Sequence, residues 1–248
     1  MNNHFYEPHF SAEHMARKIF YLEDKMKNLR SGSLVTRRGN QYIRIPEKRN
    51  SYFEKKADSP EGRILLNEIL EAKKTKNELS LILKEWKKYY PSVDLLPPPP
   101  LRRSLPVPEQ MTLENYLNHP NCNNPHPNKT PYVFEDIVLR SRFELIAAQA
   151  FKDLGISFKN EFPIITPAGI FFMDMVVPVP ERGRCVGFEF AGRIDDPVYM
   201  NNVNYKITNY ISVNLIPNHD VIFVFGGKDW LPSTDEIKKA IIFGIENC

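Results

Sequence analysis

The sequence predicts a mixed α/β (α+β) chain: an N-terminal helical arm with a β-hairpin, then a domain ordered helix, three strands, helix, strand, helix around a mixed central sheet. Three observations predict it. Over the first 90 residues, apolar side chains recur at three- and four-residue steps. Beyond residue 140, short apolar runs bounded by turns alternate with helical segments. Between the two regimes stand four consecutive prolines, Pro97 to Pro100. At 248 residues, 42% hydrophobic and 25% charged, the chain can bury a real core and falls between one and two ordinary domains. No run approaches the roughly 18–20 apolar residues of a membrane span. Met1-Asn2-Asn3-His4 has neither a basic flank nor an apolar run, so a soluble, cytoplasmic protein without a membrane partner is expected. Cys122, Cys185 and Cys248 are too few and too scattered for a disulfide framework, which fits a reducing compartment.

The first helix has Ser11 as its cap, Glu13 at its positive end and Met15, Ile19, Leu22, Met26 and Leu29 along one stripe, with Gly32 closing it. Leu34-Val35-Thr36 and Gln41 to Ile45 flank Arg37-Arg38-Gly39-Asn40, which predicts a hairpin with a basic tip. Ser59-Pro60-Glu61 opens a long second helix that Pro91 stops; Leu65, Ile69, Ala72, Leu79, Leu83, Trp86 and Tyr90 form its apolar stripe. The obvious partner for that stripe is the first helix. Lys73, Lys74, Lys76, Lys84, Lys87 and Lys88 occupy the exposed side, where they can follow phosphates or simply keep the helix soluble.

The proline run should be a stiff polyproline stretch, which divides the chain into an arm (1–95), a Pro-rich and polar linker (96–134) and a sheet domain (135–248). In the linker, His119, Cys122 and His126 have a zinc-like spacing, but a fourth ligand is missing and the surrounding residues read as ordinary loop. In the domain, helices are expected at 141–154, 197–211 and 233–247 and strands at 156–162, 170–177, 185–190 and 221–225. Turns at Pro167-Ala168-Gly169 and 178–183 make the first three strands an antiparallel meander, and the middle helix carries the chain over to the fourth.

Charge is divided unevenly. Residues 1–110 carry 21 Lys and Arg against 14 Asp and Glu, whereas 111–248 carry 12 against 16. A basic arm beside an acidic body suits a protein that grips a polyanion with one part and holds a divalent cation with the other. Two strands sharpen this reading. The strand 170–177 is apolar except for Asp174, and 185–190 is interrupted only by Glu189. An ionised carboxylate inside a sheet must be paired, metal-bound or solvated. A hairpin between the strands would set the two acids side by side, with Gly187 and Ala191 leaving room for a ligand and magnesium relieving their repulsion. Glu144 is a third candidate, although Ser141-x-x-Glu144 also reads as a capping box. Asn202, Lys206 and Tyr210 share one helix face that could look at the carboxylates.

Taken together, Arg140-Ser141-Arg142-Phe143-Glu144, Phe172-Met173-Asp174, Phe188-Glu189-Phe190-Ala191-Gly192 and Asp195-Asp196-Pro197-Val198-Tyr199 resemble the PD-(D/E)XK nuclease superfamily. The resemblance is to bacterial and phage-type members with an R-S-x-x-E helix start, a D-bearing strand, a W-E-H-x-G strand and D-D-P-x-Y before a lysine-containing helix. It covers residues 135–228. It implies a restriction-endonuclease-like αβββαβ core and a Mg2+- or Mn2+-dependent endonuclease with water as nucleophile. Asp174 and Glu189 would be the metal-binding acids, Glu144 would complete or support the site, and Lys206 would be the catalytic lysine. The family's lysine position is Ala191 here, and Phe190 stands where similar sequences often have His.

The partner this implies is nucleic acid, DNA foremost. Contacts are expected from Arg37 and Arg38 at the hairpin tip, Arg140 and Arg142 at the helix start, and Asn202 and Tyr210 on the lysine helix. A homodimer making paired cuts is compatible with all of this. A nuclease-like fold that binds nucleic acid or protein without hydrolysis is the alternative, consistent with Ala191; an adaptor built on the arm's helices ranks third. Gly226-Gly227-Lys228 follows a strand but lacks the spacing of a phosphate loop.

Overall fold

The computed structural model describes residues 10–47, 51–101, 106–120 and 132–248. The chain forms two compact units, Met1–Pro99 and Pro100–Cys248.

In the first unit, helix α1 (Ala12–Lys27) is capped by Ser11, whose hydroxyl accepts from His14 N. Strands β1 (Ser33–Arg37), β2 (Asn40–Pro46) and β3 (Tyr52–Lys56) form an antiparallel sheet, and helix α2 (Pro60–Tyr89) follows from Ser59 as its cap. Arg38 and Gly39 have φ of 49° and 81°, the two positive values that a tight two-residue hairpin turn demands. The stripe on α2 has two partners where the sequence suggested one. Its C-terminal half, through Ile82 and Trp86, packs on Met15, Ile19 and Leu22 of α1, while Leu65 and Ile69 pack on Ile43 of the sheet and on Ala57 just after it. Strand β3 was not foreseen, because its only apolar residues, Tyr52 and Phe53, are adjacent and give no alternation. All six lysines of α2 named above are exposed.

The second unit begins with a short 3-10 turn, Glu109–Met111, then α3 (Leu113–Asn118) and a small hairpin of β4 (Tyr132–Phe134) and β5 (Ile137–Leu139). There follow α4 (Arg142–Asp153), β6 (Lys159–Thr166), β7 (Gly169–Val179), β8 (Arg184–Ala191), α5 (Pro197–Ser212), β9 (Val221–Phe225) and α6 (Thr234–Asn247). The sheet order is β6-β7-β8-β9, antiparallel except for the parallel β8/β9 pair, so it is the mixed sheet expected. Helices α4 and α6 cover one face, where Phe151 meets Phe188 edge-on. The other face carries α3 and α5, with Met111, Tyr116, Tyr210 and Leu215 packed on Phe162, Met173, Val176 and Val221. Part of the stretch read as linker is therefore core: Met111 and Tyr116 are buried there. The polar surroundings of these two residues hid them, since a six-residue helix has too few positions to display a period. Of the zinc-like trio, Cys122 and His126 lie outside the described residues; the His119 ring packs edge-on to Phe162.

One irregularity shapes the site. Met173 and Val176 reach the same core cluster, although a period of two would put them on opposite faces. The pairs Asn160↔Met175 and Phe162↔Met173 set Glu161 opposite Asp174, and Glu161 has φ 50°, a left-handed conformation rare for glutamate. The alternation inverts at this level. On the other side of β7, pairing with β8 stops at Met175↔Phe188, so Asp174 and Glu189 are the first positions beyond the ladder.

Candidate active site

Where the β7/β8 ladder ends, side chains take over backbone groups. Phe190 N donates to Asp174 Oδ2 at 2.7 Å, and Lys206 Nζ donates to Phe172 O at 2.7 Å. Asp174 and Glu189 thus sit side by side in a fork of the sheet, both lining a cavity of about 980 Å³. Each acid has its own cation. Lys206 Nζ is 2.7 Å from Glu189 Oε2, and Arg140 Nη2 is 3.0 Å from Asp174 Oδ1. The Tyr210 hydroxyl donates to Glu189 Oε1 at 2.6 Å. Helix α5 delivers Lys206 and Tyr210 because Asp196 caps it, accepting from Val198 N and Tyr199 N, and Pro197 fixes its first turn.

A fourth acid was missed from the sequence. Glu161 is only 2% exposed and forms an ion pair with Arg140 Nε, so Arg140 bridges Glu161 and Asp174. The signal was present: in Asn160-Glu161-Phe162 a charge interrupts a strand, as at Asp174 and Glu189. It was masked because Glu161 lies near the strand's polar beginning, Lys159-Asn160.

Glu144 makes half of the capping box its spacing allowed: Ser141 caps its N–H, while its carboxylate turns to Arg140 N and Ser141 Oγ in place of Ser141 N. Its Oε1 accepts from Ser141 Oγ at 2.9 Å, its Oε2 accepts from Arg140 N at 2.9 Å, and its own N–H donates to Ser141 Oγ at 3.1 Å. The helix start is thereby locked, and with it the backbone of Arg140. The three acids expected around one ion are not gathered as such: among the described residues, no three His, Cys, Asp or Glu side chains form a ligand set. Asp174 and Glu189 are the pair that adjoin, and one or two carboxylates with water is the usual protein share of a magnesium site.

Charge supports that pairing. Glu144, Glu161, Asp174 and Glu189 are all buried, and against these four acids stand two cations, Arg140 and Lys206. Fully ionised, the cluster is two negative charges in excess, the charge of one divalent ion; without an ion, protons must make up the difference. Burial, then the Asp174 charge, push Glu189 up to about 8 against the pull of Lys206 and Tyr210. The same two causes lift Glu144 to about 7 despite Arg140 and Ser141. For Lys206, burial pulls the ammonium down, but Glu189 and Asp174 outweigh it and the net shift is upward, so it stays charged. Tyr210 is raised well above its ordinary value by burial and by Glu189, and it stays a donor.

Several expected nucleic-acid contacts are placed differently. Tyr210 is fully buried and spends its hydroxyl on Glu189, so it holds the carboxylate and does not touch a ligand. Arg140 is paired with Glu161 and Asp174, yet it is only half-buried and still lines the cavity. Arg142 and Asn202 are exposed and line the cavity. Arg37 and Arg38 are exposed on the hairpin, with Arg37 Nη1 3.2 Å from Glu54. Gly187 leaves no room for a ligand: a Cβ there would lie 1.9 Å from Met173 Sδ, so the glycine admits a core side chain. Ala191 does line the cavity. Phe190 is buried against Phe143, with ring centroids 5.3 Å apart, and packs the core beside the cavity.

No family model, curated protein or solved structure matches the chain. Among the described residues no helix is long and apolar enough to cross a membrane.

Proposed function

We propose that the chain is a PD-(D/E)XK-type nuclease with a restriction-endonuclease-like core, hydrolysing DNA phosphodiester bonds with Mg2+ or Mn2+. The observation that carries this reading is a cluster of four buried acids set against only two cations beside an open cavity, centred on Asp174 and Glu189 at the fork of β7 and β8. The element order, the sequence motifs and the carboxylate–lysine pair agree with it.

Asp174 and Glu189 would hold the ion. When bound, it would polarise the phosphodiester and lower the pKa of a coordinated water. Lys206 presents an ammonium at the cavity wall, where it can stabilise charge developing on a phosphate oxygen or orient the attacking water. Tyr210 fixes the second oxygen of Glu189, so that carboxylate keeps one orientation. Arg140 does the same for Asp174, and Glu144 fixes Arg140 through its backbone.

The test is incubation of the purified chain with supercoiled plasmid and with linear single strands in magnesium, manganese or EDTA, beside Asp174→Ala. Metal-dependent cleavage lost in Asp174→Ala is expected; metal-dependent cleavage that Asp174→Ala retains, or none on any substrate, contradicts the reading. A second reading, a non-hydrolytic module, is favoured by Ala191 and by the ion pairs that Asp174 and Glu189 already make with Arg140 and Lys206. It predicts that DNA or protein binding survives both Asp174→Ala and Glu189→Ala.

A further inference from the structure

Resting on the nuclease reading, we propose that Trp230 is a stacking platform for an unpaired base, so the substrate is DNA that offers a single-stranded segment next to the cleaved bond. The cavity that begins at Asp174 and Glu189 extends to the loop after β9, where Gly227, Lys228 and Trp230 line its rim. Trp230 is 54% exposed there, whereas the chain's other tryptophan, Trp86, is buried in the arm. A large indole left open to water at the mouth of a cavity has unspent stacking capacity.

The loop holds this indole in place. Gly227 N donates to Trp230 O at 2.8 Å, and a Cβ at Gly227 would lie 2.2 Å from the indole Nε1, so the ring lies against bare backbone. Gly226 N donates to Ala191 O at 2.8 Å, which ties the turn to the end of β8, two residues past Glu189. Lys228 N donates to Asp195 Oδ1 at 2.8 Å and ties it to the segment before α5. The platform is thus pinned to the strand that carries Glu189 and to the segment that leads into the helix of Lys206. Around it, Arg142 and Lys228 are exposed cations with no ion pair among the described residues, suited to backbone phosphates, while Asp229 adds one opposing charge.

Stacking on an aromatic ring needs a free π-face. Every base in a single strand can offer one; in a duplex each base is already stacked on its neighbours and must be unstacked first. Trp230 would therefore select unpaired over paired DNA while Arg142 and Lys228 serve both.

The experiment measures binding of a short fluorescein-labelled poly-dT strand and of its blunt duplex by anisotropy, in EDTA so that nothing is cut. Full-length wild type, Trp230→Ala, Trp230→Phe and Gly227→Ala are compared. Trp230→Ala should weaken single-strand binding roughly 10- to 100-fold and leave the duplex unchanged. Trp230→Phe should restore most of the loss, and Gly227→Ala, which keeps the indole but displaces it, should behave like Trp230→Ala. In a Trp86→Phe chain the remaining indole emission should be quenched by the strand. Equal single-strand affinity in wild type and Trp230→Ala, or parallel losses on strand and duplex, overturns the proposal. Plasmid and strand cleavage are scored separately. Cleavage that needs Asp174 but ignores Trp230 removes this inference and keeps the nuclease; Trp230-dependent strand binding without cleavage does the reverse.

Discussion

The two units of the chain handle charge in opposite ways. In the first, the pairs Lys18–Glu78 and Lys25–Glu71 join α1 to α2 and Arg30–Glu68 joins the segment after α1 to α2 across the surface, with side chains between 33% and 63% exposed. Water already solvates such groups, so each pair contributes about 0–1 kcal/mol. In the second, four acids between 2% and 7% exposed are gathered around one fork of the sheet and held by two half-buried cations, Arg140 and Lys206, at a cost in desolvation. The retention of this cluster agrees with the proposed use of its charges.

Mutation separates the units most sharply. Asp174→Ala or Glu189→Ala should lower metal-dependent cleavage by roughly 10³-fold or more, since each removes a proposed ion-holding carboxylate. Arg37→Ala with Arg38→Ala should weaken DNA binding by less than about 10-fold and flatten its dependence on salt, measured by titration at several ionic strengths. Lys206→Ala comes next, with a loss of about 10²-fold in kcat at unchanged KM and partial rescue by Lys206→Arg.

Stability should follow pH through the cluster. Glu189 and Glu144 are acids raised from an ordinary 4.5 to about 8 and about 7. Between those values the folded chain holds protons that the unfolded chain has released. The metal-free protein should therefore lose thermal stability as pH rises from about 4.5 to about 8, and magnesium should raise the melting temperature more at pH 8 than at pH 5.5. A flat profile in the metal-free chain would show that the cluster is balanced without protons. Tyr210→Phe, which takes one donor from a buried carboxylate, should cost about 1–3 kcal/mol in urea unfolding. Lys25→Ala, in the arm, should cost less than about 1 kcal/mol by the same measurement.

The parts of this arrangement legible in the sequence were those with a period or a broken one. The α1 and α2 stripes, the meander and Asp174 and Glu189 as interruptions of apolar strands could all be read from spacing. Lys206 could be placed on the helix face that meets Glu189, because four-residue steps from Asn202 to Tyr210 define one side of α5. What escaped depends on contacts distant in sequence. The pairing of Arg140 with Glu161, 21 residues further along on β6, leaves no trace in spacing. Tyr210 shared a polar face with Lys206, yet its ring is core and only its hydroxyl is polar in use. Gly187 read as space, which Met173 fills through an inversion of alternation at Glu161 and Asp174 that no periodicity displays. Trp230 had no pattern around it at all; only the cavity gives it a place.

Calorimetric titration of Mg2+ into the metal-free chain at pH 6.5, in two buffers of different ionisation enthalpy, tests the carboxylate cluster most directly. One ion should bind per chain, with release of protons that shows as a buffer-dependent heat, and both signals should vanish in Asp174→Ala. Absence of binding in the wild type, or binding that persists undiminished in Asp174→Ala, would contradict the claim that these buried acids exist to hold a divalent ion.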